Sequence, residues 1–510
     1  MTRTFKRTLL ASGLALAALC SPLAMTQAQA AGTLTVALHQ DPGNWDPIAT
    51  FLVAWGAVGG QVFDGLVMRT PDMKLVPGLA TKWELLENNT KIRFTLRPNV
   101  KFHNGEPFDA EAVKFTFDRL LGEEGKKGPQ QSNYASIDRI VVVNPMTVDM
   151  FLKSPDPVLL TKLAGYGAMI VPPKYIKEKG SQFFGMNPVG TGPFKFTDYK
   201  PKVSLSFAKN AEYWGGAPKV DALVYRFIAE PATQAAELQA GRIDVANQVP
   251  LALIDTLKKD SKLDVVSMGG PVALALRYNT QRGIMKDVQV RKALTMAVDR
   301  DAIIKTILLG QAKPIASFQG ELSFGYDPAL KPLPFNPMQA KAMLAKAGVK
   351  PGTQIQLDFR GPDSNFREVS QAVAAYLAAV GLQVSLKPYE TNVLLNDIIP
   401  NGKTGEMWQN QWGGWTFDYD NTAYSMYYTK QRWNPFDDDA KLNALLHTQR
   451  NTWDQAARKV TLQEIGRYVA DQALEMPLYS LNTVYGINKR AKNLTLPADG
   501  RFRFVEATVD

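Results

Sequence analysis

The segment QIQLDFRGPDSNFREVSQAVAAYLAAVGLQVSL, residues 354–386, contains a complete strand–helix–strand pattern. Residues Gln354 to Phe359 are strand-like. Helical spacing then gives one apolar stripe, made of Val369, Val373, Leu377 and Val380. Gly381 can end that helix, and apolar residues alternate again at Leu382, Val384 and Leu386. A helix between two strands is the unit of an α/β fold, so this pattern predicts an α/β lobe.

The chain is too long for one hydrophobic core. It has 510 residues, and cores usually stop growing beyond roughly 250–300 residues. Strand patterns occur at Thr33 to His39 and at Lys91 to Leu96, and Asp109 is a good N-cap for the helix that follows. We therefore expect two or three lobes.

The N-terminus has the pattern of a secretory signal peptide. Basic residues near the start precede an apolar run from Leu9 to Leu19, and Ala28-Gln29-Ala30 resembles a peptidase site. We expect cleavage after Ala30 and export to the periplasm. Cys20 would suggest a lipid anchor, but the bulky Leu19 before it argues against lipid attachment.

Composition excludes several classes of function. The formal charge of +10 falls to +7 once residues 1–30 are removed, and the remaining bases form no block, so nucleic acid is not an expected partner. Cys20 is the only cysteine, so the mature chain has no disulfide or thiolate chemistry. After Ala30 no apolar run approaches the roughly 18 residues of a spanning helix.

Residues 407–428, MWQNQWGGWTFDYDNTAYSMYY, are unusually aromatic and contain Asp418 and Asp420. No Lys or Arg occurs between Lys403 and Lys430, so both acids need a positive charge from elsewhere. One interpretation is a cavity for a ligand with an ammonium group, since aromatic faces attract cations. The alternative is that the rings form core and the acids a solvated edge.

Five further segments carry a resemblance to a known family. They are VKFHNGEPFDAEAV (residues 100–113), VGTGPF (189–194), NAEYW (210–214), GRID (241–244) and DVQVRKALTMAVDR (287–300). Together they resemble the bacterial extracellular solute-binding proteins of the peptide/nickel class. His103, within the first segment, is interpreted as a scaffold residue rather than a ligand.

The resemblance implies a type II periplasmic-binding-protein fold of the large three-domain class, with a ligand cleft between two lobes. Residues 1–30 would be the signal peptide. Lobe I would comprise residues 31–70, 186–269 and 477–510, the small lobe residues 71–185, and lobe II residues 270–476.

The resemblance also implies ligand-binding residues. Gly414 to Asp418 resembles a pocket motif in which a Trp stands three residues before an Asp that pairs with the ligand's α-ammonium. Trp415 and Asp418 match that motif, Trp412 and Tyr424 are further candidates, and Asp420 is expected to face solvent.

Arg360 follows a strand and precedes a helix, where open α/β sheets bind ligands. It resembles an Arg that dipeptide-binding members use on the ligand carboxylate, and the alternative is a surface arginine at a strand end. Phe51 is the last candidate ligand-binding residue; it stands where oligopeptide-binding members carry a Glu, which leaves the identity of the ligand open.

The function implied is that of a substrate-binding component of an ABC importer, monomeric, closing by a hinge and delivering a di- or oligopeptide to a permease and its ATPase. Opines, amino-acid derivatives and metal chelates are the alternatives. An enzyme is not expected, because the three His are far apart and no nucleotide-loop spacing is complete. No cofactor and no protein-built metal site are expected.

Overall fold

The strand–helix–strand unit of residues 354–386 is confirmed in the structure, a computed structural model that describes residues 32–436 and 438–510. Its two strands pair in parallel along their whole length. Asp363 caps the helix by accepting a hydrogen bond from the Phe366 backbone N–H, and Gly381 follows the helix with a φ of +101° that favours glycine. The predicted signal peptide lies outside the described residues.

The strands are numbered in chain order: β1 Thr33–Leu38, β2 Val67–Arg69, β3 Leu75–Pro77, β4 Ala80–Leu86, β5 Lys91–Leu96, β6 Ile137–Asn144, β7 Thr147–Leu152, β8 Phe194–Lys200, β9 Ser204–Lys209, β10 Ala222–Phe227, β11 Val245–Ala246, β12 Leu263–Tyr278, β13 Ala312–Pro314, β14 Thr353–Arg360, β15 Leu382–Tyr389, β16 Met407–Gly413, β17 Glu475–Asn488, β18 Ala491–Lys492 and β19 Thr508–Val509.

The helices are α1 Val53–Val62, α2 Ala110–Leu121, α3 Glu123–Lys126, α4 Leu159–Leu163, α5 Pro173–Lys179, α6 Ser181–Met186, α7 Pro231–Gln239, α8 Ile254–Lys258, α9 Val288–Ala297, α10 Arg300–Thr306, α11 Pro337–Lys346, α12 Ser364–Ala379, α13 Thr391–Val393, α14 Tyr419–Tyr427, α15 Ala440–Asn451 and α16 Gln455–Asp471. Short 3₁₀ turns occupy Gln131–Tyr134, Leu251–Leu253 and Gly283–Lys286, and a π-helical turn occupies Leu394–Ile398.

A mixed sheet joins two halves of the molecule in the order β15-β14-β16-β12-β17-β11-β1-β10-β9-β8, with β13 on β17. We call β1 and β8–β11 the first half and β14–β16 the second half. β12 and β17 link the halves: β17 pairs with β11 of the first half, β12 pairs with β16 of the second half, and the two strands pair with each other. Their pairing shifts register between Gly269 and Ala273, so the crossing between the halves is also where the ladder is interrupted.

A separate antiparallel sheet, β4-β5-β7-β6, packs against α2. The helix begins as the sequence predicts: Asp109 accepts a hydrogen bond from the Ala112 backbone N–H at 3.0 Å. Val113, Phe117 and Leu120 are buried and form the apolar face of this helix. The residue bounds of the three expected lobes remain a prediction.

None of the helices in the described part of the chain is both long and apolar enough to cross a membrane.

His103 connects two of the segments that carry the family resemblance. Its Nε2 donates to the Gly192 carbonyl at 2.9 Å, and its Nδ1 accepts from the Gly190 backbone N–H at 3.3 Å. The bond that Nδ1 accepts needs the neutral imidazole, and burial lowers the pKa of His103 to about 4. The scaffold interpretation fits this arrangement, because both ring nitrogens are occupied by backbone groups.

This arrangement predicts a loss of stability in acid. The pKa of His103 is about 4 when folded and about 6.5 when unfolded, so its contribution is complete above pH 6.5 and falls away as the pH drops toward 4. Between pH 7.5 and 4.5 we expect a loss of about 2.5 kcal/mol in the free energy of unfolding from this group. Urea denaturation at the two pH values measures it.

His103→Gln should flatten this part of the pH dependence, whereas His447→Gln, at an exposed position, should leave it in place. A parallel decline of wild type and His103→Gln would contradict the assignment.

Candidate functional site

A cavity of about 580 Å³ lies between the two halves, and both halves contribute to its walls. Trp415, Phe417 and Asn365 line it from the side of the second half, while Asn247 and Tyr166 line it from the opposite side. The volume falls within the roughly 300–1,000 Å³ typical of small-molecule sites. We call this cavity the cleft.

One wall of the cleft is aromatic. The Trp415 ring lies 5.4 Å from Phe51 and 6.2 Å from Tyr166, both edge to face, and the Phe51 and Tyr166 centroids are 5.1 Å apart. Gly165 makes this approach possible, since a Cβ there would lie 2.4 Å from the Trp415 ring. The structure therefore brings together Trp415 and Phe51, two of the residues predicted from the sequence.

Phe417, next to this wall, has a φ of +53°, which is unusual for a bulky residue. Its carbonyl accepts from the Phe324 backbone N–H at 2.7 Å, and its own N–H donates to the Gly414 carbonyl at 2.8 Å. Backbone in this region costs on the order of 1–3 kcal/mol and persists where surrounding bonds enforce it. Here they fix the turn that carries Trp415 into the cleft.

Several polar atoms at the cleft are buried without a hydrogen-bond partner among the described residues. They are His39 Nδ1, Asn247 Oδ1, Asn482 Oδ1 and Arg501 Nη2. A buried polar group left unpaired costs about 1–3 kcal/mol, so such groups favour a ligand that can pair them. The set offers amide oxygens to N–H donors and a guanidinium N–H to an acceptor.

Two charged residues of the C-terminal segment also line the cleft. Arg501 Nε donates to Asp499 Oδ2 at 2.6 Å, and Arg501 Nη1 donates to the Ala164 carbonyl at 2.9 Å. Burial raises the pKa of the neighbouring Tyr166 hydroxyl to about 12 and lowers the pKa of His39. Tyr166 and His39 are thus neutral at pH 7, and the Asp499–Arg501 pair supplies the formal charges.

The positive charge that the sequence required for Asp418 from elsewhere comes from Arg458, within the protein itself. Arg458 Nη1 and Nη2 donate to Asp418 Oδ2 and Oδ1, both at 2.7 Å. Asp418 Oδ1 also accepts from the Asp420 backbone N–H and so caps α14. Arg458 comes from α16, forty residues further along the chain, which is why local sequence gave no sign of it. The ligand role of Asp418 stays a prediction.

Asp420 was expected to face solvent, and this is wrong. It is buried, and Arg450 Nε and Nη2 donate to its two oxygens at 2.7 and 2.9 Å. Burial would raise the pKa of Asp420, but the Arg450 guanidinium outweighs burial and holds it below the usual value. Arg450 therefore supplies the positive charge that the sequence required from elsewhere.

Trp412 and Tyr424 pack beside the cleft rather than lining it. Trp412 lies edge to face with Trp433 at 5.8 Å and donates from Nε1 to Asn421 Oδ1 at 3.2 Å. Tyr424 stacks on Tyr428 at 4.5 Å. Both contact the hydrophobic cluster around α14–α16, so the alternative interpretation of the aromatic stretch as core holds for this part.

Arg360 lies at the end of β14 with its guanidinium 5.0 Å from the centre of the Phe366 ring. Burial lowers the pKa of Arg360, and no carboxylate among the described residues is within ion-pair distance of it. Asn365, the residue before Phe366 in α12, lines the cleft, whereas Arg360 itself is not among the lining residues. A partly buried cation without a carboxylate, beside a cavity, is suited to an anionic group of a ligand.

Sequence reasoning missed the polar residues of the cleft: His39, Asn247, Asn482, Asp499 and Arg501. They come from three separate stretches of the chain and form no local pattern. The described residues contain no cluster of three or more His, Cys, Asp or Glu able to hold a metal ion.

The chain resembles known proteins along most of its length. The sequence profile of "Bacterial extracellular solute-binding proteins, family 5 Middle" matches residues 74–434. The dipeptide-binding protein of Escherichia coli K12 is 27% identical, over 96% of this chain and 97% of that protein. The glutathione-binding protein GsiB of Pectobacterium atrosepticum is 26% identical, over 98% of both chains. The structure of HbpA2 from Haemophilus parasuis superposes with a TM-score of 0.86 at 23% identity, over 94% of this chain and 100% of that one.

Proposed function

Because this chain belongs to the bacterial extracellular solute-binding proteins of family 5, we propose that it captures short peptides for an ABC importer. The ligand would bind in the cleft between the two halves. Peptide is favoured over the other solutes of the family because the cleft combines an aromatic wall with unpaired amide oxygens and an unpaired N–H of the Arg501 guanidinium.

The observation that carries the proposal is the set of unpaired polar atoms. A peptide's N–H groups can donate to Asn247 Oδ1 and Asn482 Oδ1, which otherwise lack partners among the described residues. A peptide carbonyl can accept from Arg501 Nη2. Because each buried group left unpaired costs about 1–3 kcal/mol, pairing three of them favours binding substantially. The aromatic wall at Trp415 would pack against a side chain.

Arg360 is the proposed partner of the peptide's C-terminal carboxylate. Its guanidinium is partly desolvated and has no carboxylate partner among the described residues. A planar guanidinium can bind a carboxylate through two parallel hydrogen bonds. This end of the ligand would then lie near the start of α12, where Asn365 lines the cleft.

For the peptide's N-terminal ammonium group, the proposal differs from the expectation drawn from the sequence, which assigned it to Asp418. Asp418 is already paired with Arg458, so a ligand ammonium at Asp418 would share a carboxylate rather than neutralise a free one. Asp499 lines the cleft, and its Oδ2 accepts from Arg501 Nε while its Oδ1 accepts only from the Arg501 backbone N–H at 3.1 Å. We propose that Asp499, together with the amide oxygens, receives the ammonium.

The wider setting is proposed on the same basis. The chain would be exported with removal of residues 1–30, which N-terminal sequencing can check, and would act in the periplasm as a monomer without catalysis. Hinge bending at the strands that link the halves, near Gly269 and Ala273, would close lobes I and II on the ligand. The closed form would then dock on a permease and its ATPase.

Calorimetry with alanyl-leucine tests the proposal. We expect saturable binding by wild type, and a loss of about 10- to 100-fold when Arg360→Gln removes the charge, because a charge-assisted bond contributes about 1.5–3 kcal/mol. Amidating the peptide's C-terminus should weaken its binding to wild type by a similar factor. The affinity of Arg360→Gln for the peptide should change little on amidation. Small-angle scattering of the same samples should show a smaller radius of gyration with peptide bound.

The matched control is Arg432→Gln, which alters an exposed arginine of the second half and should leave the affinity unchanged. Equal affinity of the acid and the amide for wild type would contradict the carboxylate contact. Binding of an opine or a metal chelate in place of every di- and tripeptide tried would replace the peptide assignment with one of the alternatives.

A further inference from the structure

A second cavity, of about 450 Å³, lies apart from the cleft. Residues from 56–73, 164–169, 213–215 and 495–506 line it, and none of the described lining residues belongs to the predicted lobe II. Asp499 and Arg501 line both cavities, so their ion pair stands between the two. The second cavity is therefore a neighbour of the cleft with its own walls.

More arginines line the second cavity than can be matched with ion-paired carboxylates. Three guanidinium groups line it, those of Arg69, Arg501 and Arg503. Arg501 is paired with Asp499 at 2.6 Å, and Arg503 is paired with Asp64 at 2.5 Å. Arg69 has no ion pair with any described carboxylate; Glu506, the other acid of the lining, is exposed. One buried positive charge is thus left over.

The hydrogen bonds of Arg69 confirm that it lacks a full set of partners. Its Nη1 donates to the Trp415 carbonyl at 3.2 Å and its Nη2 to the Thr161 carbonyl at 3.1 Å, while its Nε is buried with no partner among the described residues. Arg501 Nη2 is likewise buried with no hydrogen-bond partner among the described residues. Burial first, and then the nearby Arg501, lower the pKa of Arg69 to about 9, so both the geometry and the electrostatics favour an added anion.

The rest of the lining is largely apolar. It includes the side chains of Met68, Met73, Met169 and Trp214. Methionine side chains adapt to irregular partners, and they pack favourably against aromatic rings. A ligand that fits both parts of the cavity has one anionic end and an apolar body.

We infer that the second cavity is a binding site for a small amphipathic carboxylate, held by the Arg69 guanidinium at its charged end and by the methionines and Trp214 along its body. The site goes beyond the proposed peptide function, which uses the cleft, and it does not depend on the identity of the transported solute.

The probe is 3-phenylpropionate, with the uncharged 3-phenylpropanol as its matched control, both titrated by calorimetry into the chain from residue 31. The carboxylate should bind saturably and at least about tenfold more tightly than the alcohol, since it pairs with the surplus charge. Saturating the cleft with alanyl-leucine should not displace it. Arg69→Gln keeps amide donors but removes the charge. It should weaken binding of the carboxylate by about tenfold or more and leave binding of the alcohol unchanged.

A second variant tests the inference independently in case Arg69→Gln does not fold. Met73→Asp leaves Arg69 in place and adds a carboxylate to the lining, at a position whose φ of +67° suits Asp better than most residues. It should weaken 3-phenylpropionate by a similar factor. Arg360→Gln, which alters the cleft, should bind the probe as wild type does.

Three results would overturn the inference. They are the absence of saturable 3-phenylpropionate binding up to about 5 mM, equal binding of acid and alcohol, and displacement of the probe by the peptide. Probe binding that depends on Arg69 in a protein that binds no peptide would support this site while rejecting the proposed function of the cleft.

Discussion

Asp418→Asn should destabilise the folded protein by about 3–5 kcal/mol, because it leaves a buried guanidinium without its carboxylate. Arg458 is fully buried and Asp418 is 4% exposed, and two hydrogen bonds of 2.7 Å join them. Burial alone would lower the pKa of Arg458; Asp418 more than offsets this and keeps it raised. The substitution also weakens the cap of α14. Urea denaturation measures the change in the free energy of unfolding.

Two further variants make the result specific. Asp138→Asn removes an exposed acid from a surface ion pair and should change stability by less than about 0.5 kcal/mol. Adding Arg458→Met to Asp418→Asn should recover part of the loss, because the stranded charge is then absent. An Asp418→Asn protein with wild-type stability but reduced peptide affinity would instead restore the sequence interpretation, in which this acid serves the ligand.

Asp64→Asn should cost a similar amount, about 3–5 kcal/mol, at a site far from the cleft's aromatic wall. Asp64 is fully buried and accepts hydrogen bonds from Thr191 Oγ1 at 2.9 Å, Trp214 Nε1 at 2.9 Å and Arg503 Nη2 at 2.5 Å. The Tyr213 hydroxyl lies at 3.3 Å. An amide there offers one acceptor oxygen where the carboxylate offers two, and it leaves Arg503 without a counter-charge.

The measurement is again urea denaturation, followed by tryptophan fluorescence because Trp214 contacts the substituted group. Asp221→Asn, which removes an exposed acid paired with Lys209, is the control and should be nearly neutral. An Asp64→Asn protein that unfolds with the wild-type free energy would show that the charge of Asp64 is not needed to hold this region together.

The bonds of Asp64 give a physical reason for two of the sequence segments that carried the family resemblance. Thr191 belongs to VGTGPF, and Tyr213 and Trp214 belong to NAEYW. His103, of the third segment, holds the same loop through Gly190 and Gly192. These residues were recognisable in the sequence because they build the scaffold, and their chemistry contributes little to the ligand site.

The sequence by itself determined the α/β class, the strand–helix–strand unit and the cap at Asp109. These features depend on contacts between near neighbours, or on patterns that recur in a whole family. Helical and strand periodicities report which face of an element is buried, and capping needs only the next few residues.

Only the tertiary structure decided which charges are free. Asp418 and Asp420 looked unpaired because no base lies near them in the chain, yet α15 and α16 bring Arg450 and Arg458 to them from thirty and forty residues away. Arg360 and Arg69, by contrast, are within ion-pair distance of no carboxylate in the part of the chain that the structure describes, although Asp363 and Asp499 respectively act on them from further away. A salt bridge requires only proximity in space, and charge compensation is therefore a property of packing that local sequence does not encode.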